Sequence, residues 1–129
     1  MASDDFHAIY AELRARMLRA AAAMQVAKDE PSALVLHAPW PHPHHPKQAM
    51  WFGGVEIRKS YVSYHLMPVY GRPALLDGVS SELRRRMQGK ACFNFKAADP
   101  ALFDELEALT AKGAELFAKP LSLAQITGA

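Results

Sequence analysis

The chain has one cysteine, Cys92, so no internal disulfide can form and a hydrophobic core must hold the fold together. That usage suits a reducing cytoplasm, which is the expected location. No apolar run approaches the roughly 18–20 residues of a membrane span. The opening stretch, MASDDFHAIY, is acidic and lacks the basic-then-apolar order of a secretory signal, so no signal peptide and no membrane partner are expected. Charge of one sign is also scarce. With 15 Lys and Arg against 13 Asp and Glu, the net +2 argues against a nucleic-acid partner, which calls for a concentrated basic stripe. No Asp or Glu lies between Glu30 and Glu56, so a metal ion held there would have no local carboxylate. No internal repeat is present.

What remains is enough for one domain. At 129 residues, a chain buries roughly two-thirds of the surface its unfolded form exposes. Phe6, Ile9, Tyr10, Leu13, Met17, Ala21 and Met24 recur at three- and four-residue steps and predict a helix from about Asp4 to Val26. Ser3 would cap it, and Asp4 and Asp5 would complement its dipole. ALVLHA then predicts one strand.

MWFGGVEI and SYVSYHLMPVY, on either side of Arg58-Lys59, predict a hairpin. Pairing Val55 with Val62, Gly53 with Tyr64 and Trp51 with Leu66 sorts the apolar side chains onto one face. Met50, Phe52, Gly54, Glu56, Tyr61, Ser63, His65 and Met67 take the other. A loop longer than Arg58-Lys59 fits the same sorting. Pro68 and Pro73 mark the exit from the sheet. SSELRRRMQGK predicts a short helix capped by Ser80 or Ser81 and closed by Gly89, and ACFNF a last strand. DPALFDELEALTAKGAELF is the clearest helix, with Asp99 as N-cap and Pro100 at its first position. The tail to Ala129 shows no strong pattern. The expected fold is therefore α+β, a two-layer sandwich. A mainly antiparallel sheet carries the N- and C-terminal helices on one face.

MWFGGVEIRKSYVSYHLMPVY, LLDGVSSELRRRMQGKACFNF and LFDELEALTAKG resemble a group of small bacterial proteins of unknown function, similar in turn to the YdhG-like family. The resemblance covers about residues 50 to 117, and more loosely the first helix. It implies the two-layer fold, a single domain over 1–118 with a tail at 119–129, and a cytoplasmic location. One relative is described as a frataxin-like iron chaperone, a role that uses clustered carboxylates. Here Asp4, Asp5 and Glu12 face Arg14, Arg16 and Arg19, so iron binding is not carried over.

Four constellations bear on function. His37, His42, His44 and His45 lie within HAPWPHPHHPK, where prolines hold the chain extended. A strand aligns His42 with His44, and a polyproline helix aligns His42 with His45. Neither aligns all three, and a tetrahedral metal site needs more ligands. His42, His44 and His45 are thus candidate ligands of a divalent transition metal, set against a stiff exposed loop. No other cofactor is expected. His65 and Cys92 form a second candidate, a thiol–imidazole pair, against the reading of Cys92 as a small buried hydrophobe. Arg84, Arg85, Arg86 and Lys90 read as a solvated cationic helix end before they read as an anion site.

The fourth is the open sheet face, where Phe52, Tyr61, Ser63, His65 and Met67 are the candidate ligand-binding residues. The leading reading is a binding or interaction domain rather than an enzyme. That face would take a small ligand, a protein partner or a second copy as a homodimer. Metal handling by the His/Pro segment and a Cys92–His65 enzyme are the alternatives.

Overall fold

The computed structural model describes residues 2–128, and side chains from Asp5 onward. It shows the α+β layout: a five-stranded antiparallel sheet with helices on one face. Helix α1 (Ala2–Ala20) leads into β1 (Gln25–Glu30), β2 (Ala33–His42), β3 (His45–Ile57) and β4 (Val62–Leu66). An excursion follows through α2 (Met67–Gly71), a 3-10 turn (Pro73–Leu76) and α3 (Ser81–Arg84). Strand β5 (Cys92–Phe95), α4 (Pro100–Leu116) and α5 (Leu123–Thr127) complete the chain. The strands lie in sequence order, every neighbour antiparallel. Among the described residues, no helix is long and apolar enough to cross a membrane. The side chains of Ser3 and Asp4, expected to cap α1, fall outside those described.

The first helix ends six residues earlier than its periodicity predicts: residues 21–24 turn the chain, and β1 begins at Gln25. All six β1 residues are exposed, so no period-two pattern announces the strand. Its backbone pairs with β2, and α1 clamps it from above. Tyr10 Oη donates to Glu30 O at 2.8 Å, and Arg14 reaches Asp29 at 2.6 Å.

Leu13, Met17, Leu34, Leu36, Val55, Tyr64, Leu66, Phe93, Phe103 and Leu106 form the core between the layers. Asp99 accepts from Leu102 N–H at the start of α4, as its sequence predicts. Ser80 does the same for Leu83 in α3. The C-terminal stretch is not patternless. Ser122 and Gln125 form a reciprocal capping box, and α5 buries Ile126 against Gly71.

The β3–β4 hairpin pairs Gly53 with Leu66, Gly54 with His65, Val55 with Tyr64, Glu56 with Ser63 and Ile57 with Val62. This corrects the predicted register by two residues, because the connection is Arg58–Tyr61, closed by Arg58 N–H on Tyr61 O at 2.8 Å. A shift of two keeps every side chain on its face. A second correction does not. Leu36 pairs with Gly53 but His37 pairs with Trp51, so Phe52 is an extra residue in β3. This bulge reverses the alternation upstream of Gly53. Phe52 and Met50 turn into the core and Trp51 turns out, the reverse of the expectation. The adjacent glycines are required by close approach. A Cβ on Gly53 would overlap His65 O, and one on Gly54 would overlap Leu34 O.

The HAPWPHPHHPK stretch is not a loop but a continuation of β2 and β3 around Pro43-His44. Trp40 anchors its base. It is buried, its Nε1–H donates to Phe117 O at 2.7 Å, and its ring lies 5.5 Å from that of Phe117.

Candidate ligand site on the open sheet face

Strand alternation leaves Val35 and His37 from β2, Trp51, Gly54 and Glu56 from β3, Ser63 and His65 from β4, and Cys92 and Asn94 from β5 facing away from the helices. Of the five expected ligand residues, Ser63 and His65 stand on this face. Phe52 does not: it is fully buried, its ring packed edge-on against Phe117 at 5.8 Å. Met67 leaves the sheet to open α2 and packs against the core, and Tyr61 sits half-buried in the β3–β4 connection.

The face carries a shallow depression of about 300 Å³. Val35, Trp51, Gly54, Glu56, Arg58 and His65 line it. The Trp51 and His65 rings lie 5.6 Å apart and tilted by 54°, which makes one continuous aromatic wall. Gly54 beside them has no side chain, so the floor there is bare backbone. At one end Arg58 Nε lies 2.7 Å from Glu56 Oε1. Sequence reasoning missed Trp51, Val35, Glu56 and Arg58 as site residues. The signal available was the Gly53-Gly54 pair directly after two aromatics, since paired glycines in a strand mark a bulge or a close approach.

His65 and Cys92 meet, as their neighbouring strands suggest. Their Nε2 and Sγ atoms are 3.6 Å apart, and the thiol donates to Asn94 Oδ1 at 3.3 Å. Asn94 is held in turn by Gln88 at 2.9 Å. Burial pushes the imidazole below its ordinary value, and the Arg58 charge pushes it further the same way. Burial also pushes the thiol up, against the opposing pull of Arg58 and of a backbone hydrogen bond at Tyr64. Both shifts favour the uncharged pair. At neutral pH the arrangement is a thiol beside an imidazole, not the thiolate–imidazolium pair that a cysteine nucleophile requires.

The histidine cluster lies elsewhere. His42 pairs with His45 across the hairpin end with ring centres 4.8 Å apart, and His44 lies 6.4 Å from His42. His44 and His45 are exposed, so the tip stands in solvent and does not fold over the sheet face. His42 Nδ1 accepts the His44 backbone N–H at 3.0 Å. A neutral imidazole has one lone pair, and here the turn uses it. A metal ion on Nε2 would force a proton onto Nδ1, against that N–H. Metal-bound histidines have the reverse arrangement, with the second nitrogen donating to an acceptor. Among the described residues, no group of three His, Cys, Asp or Glu is placed to hold a metal ion.

The basic group is solvated, and one member has a structural role: Arg84 donates to Leu76 O at 2.6 Å beside the start of α3. Two large hydrophobic side chains are notably exposed among the described residues, Val26 on β1 and Tyr70 on α2, and neither belongs to the outer face. Compared with protein-family models, with curated proteins and with solved structures, the chain finds no match in any of the three.

Proposed function

We propose that the protein is a non-catalytic binding domain that holds a small molecule on its outer sheet face, and that residues 50–117 share this scaffold with the YdhG-like proteins. The observation that carries the reading is the depression itself. An aromatic wall, a bare glycine floor and a charged pair converge in one concave site, the usual composition of a small-ligand pocket. Self-association through this face has less support, because the exposed large hydrophobics lie elsewhere.

Protein-observed NMR with a library of soluble aromatic fragments tests the reading. Bound fragments are expected to shift the Gly54 amide and the Trp51 indole N–H, and Trp51→Ala is expected to abolish those shifts. Hits confined to other grooves, or none at all, would overturn it. Cys92 supplies the contrast with an enzyme. Its alkylation by iodoacetamide at neutral pH is expected to be no faster than that of a free thiol, and a markedly faster reaction would restore the Cys92–His65 nucleophile.

A further inference from the structure

We infer that the ligand of the outer face is an uncharged planar heteroaromatic ring of nucleobase size, laid on Gly54 and read along its edge by Glu56 and Arg58. This rests on the reading of that face as a ligand site.

Ring size follows from the space. At about 300 Å³ the depression sits at the small end of ligand pockets. Planarity follows from the floor and the wall. A ring can lie against the Gly54 backbone because no side chain rises there, and replacing Gly54 is barred by the Leu34 carbonyl. The Trp51 and His65 rings are too close, at 5.6 Å, to admit a third ring between them. The ligand therefore stacks on one side of the wall, not in a slot.

Lack of charge follows from the electrostatics. Glu56 and Arg58 cancel each other, and burial keeps His65 neutral, so an ionic ligand would find no uncompensated partner. Edge recognition follows from what the ion pair leaves over. The closest contact of the pair is Arg58 Nε to Glu56 Oε1, and the terminal guanidinium N–H groups and the second carboxylate oxygen make no hydrogen bond to a third residue among the described residues. They present donors next to an acceptor. A heteroaromatic edge with adjacent acceptor and donor atoms complements that pattern, and a hydrocarbon ring does not.

The test is titration of the ¹⁵N-labelled protein with adenine, with indole (similar in size but without an acceptor edge) and with benzoate (aromatic and anionic). Adenine is expected to shift the Gly54 and Trp51 resonances saturably, about tenfold more tightly than either of the others. Arg58→Gln and Glu56→Gln are each expected to weaken adenine about tenfold while leaving indole unchanged. If indole binds as tightly as adenine and neither variant matters, the edge-reading inference fails while the face remains a ligand site. Tighter binding of benzoate would overturn it in favour of an anion. If none of the three moves these resonances, the inference falls. A fragment library that is also blank at this face would bring down the ligand-site reading with it.

Discussion

The bulge at Phe52 decides which side chains face the candidate ligand site, and a pair of substitutions reads it directly. Straight alternation from Val55 would bury Trp51 and expose Phe52. The bulge does the opposite, leaving Phe52 at 0% exposure against the Phe117 ring and Trp51 only partly buried beside His65. Truncating a fully buried phenylalanine costs about 3–5 kcal/mol through lost transfer energy and the cavity left behind. Trp51→Ala gives up an aromatic contact of about 0.5–1.5 kcal/mol and the burial of a partly covered side chain, about 2–3 kcal/mol together. An unfolding entropy of about 2.1 cal/mol/K per residue over 129 residues gives about 0.27 kcal/mol/K, so each kcal/mol lowers Tm by about 4 °C. Phe52→Ala is then expected to lower Tm by about 11–18 °C and Trp51→Ala by about 7–11 °C. The assay is thermal unfolding followed by far-UV circular dichroism at matched concentration. Phe52→Leu, expected to cost about 1–2 kcal/mol, keeps position 52 measurable if the alanine variant does not fold. Equal or reversed costs of the two alanine variants would refute the bulge, and with it the placement of Trp51 in the site.

Two further outcomes probe the layers on either side of the sheet. His65 binds its proton less readily in the native state than in the unfolded chain, because of burial and then Arg58. The unfolded chain therefore holds more protons between the two values. The His65 contribution is complete above the unfolded value of about 6.5 and declines as pH falls through the native one. An NMR titration should place the His65 midpoint below about 6.5, and Arg58→Gln should raise it; a midpoint at or above that value contradicts the assignment. In the core, Thr110 Oγ1 donates to Leu106 O at 2.7 Å, so its contact with Tyr64 must have the phenol as donor. Thr110→Val strands that buried hydroxyl and should cost about 1–3 kcal/mol, whereas Tyr64→Phe removes the donor and should cost only about 0.5–1.5 kcal/mol. Urea unfolding of the two variants checks the order, and a costlier Tyr64→Phe would sink the donor assignment.

Much of the fold could be read from the chain because its signals were local and strong. Asp99-Pro100 starts α4 where an N-cap and a first-turn proline should. From Gly53 onward the β3–β4 hairpin kept its faces despite a slipped register, since an even shift preserves parity. The failures share a cause: interactions distant in sequence overrode local pattern. Strand β1 is polar and fully exposed, specified by its ladder to β2 and by Tyr10 and Arg14 from α1. The short α5 carries one buried side chain, Ile126, and depends on Gly71, some fifty residues upstream, to seat it.

The candidate site was half legible for the same reason. His65, Ser63, Cys92 and Asn94 lie on strands without irregularity, and alternation placed them correctly. Trp51 lies upstream of a bulge and was assigned to the wrong face. The histidines show a further step. Their prolines correctly argued for extended chain, but extended chain beside a partner becomes a strand. Trp40 and Met50 bury themselves at its base, and the His44 N–H takes the Nδ1 lone pair of His42. A run of imidazoles counted along the chain suggests a ligand set. Placed in a hairpin turn, its first member, His42, spends its Nδ1 lone pair on the His44 N–H, and it takes the fold, not the count, to show which ring nitrogens are left.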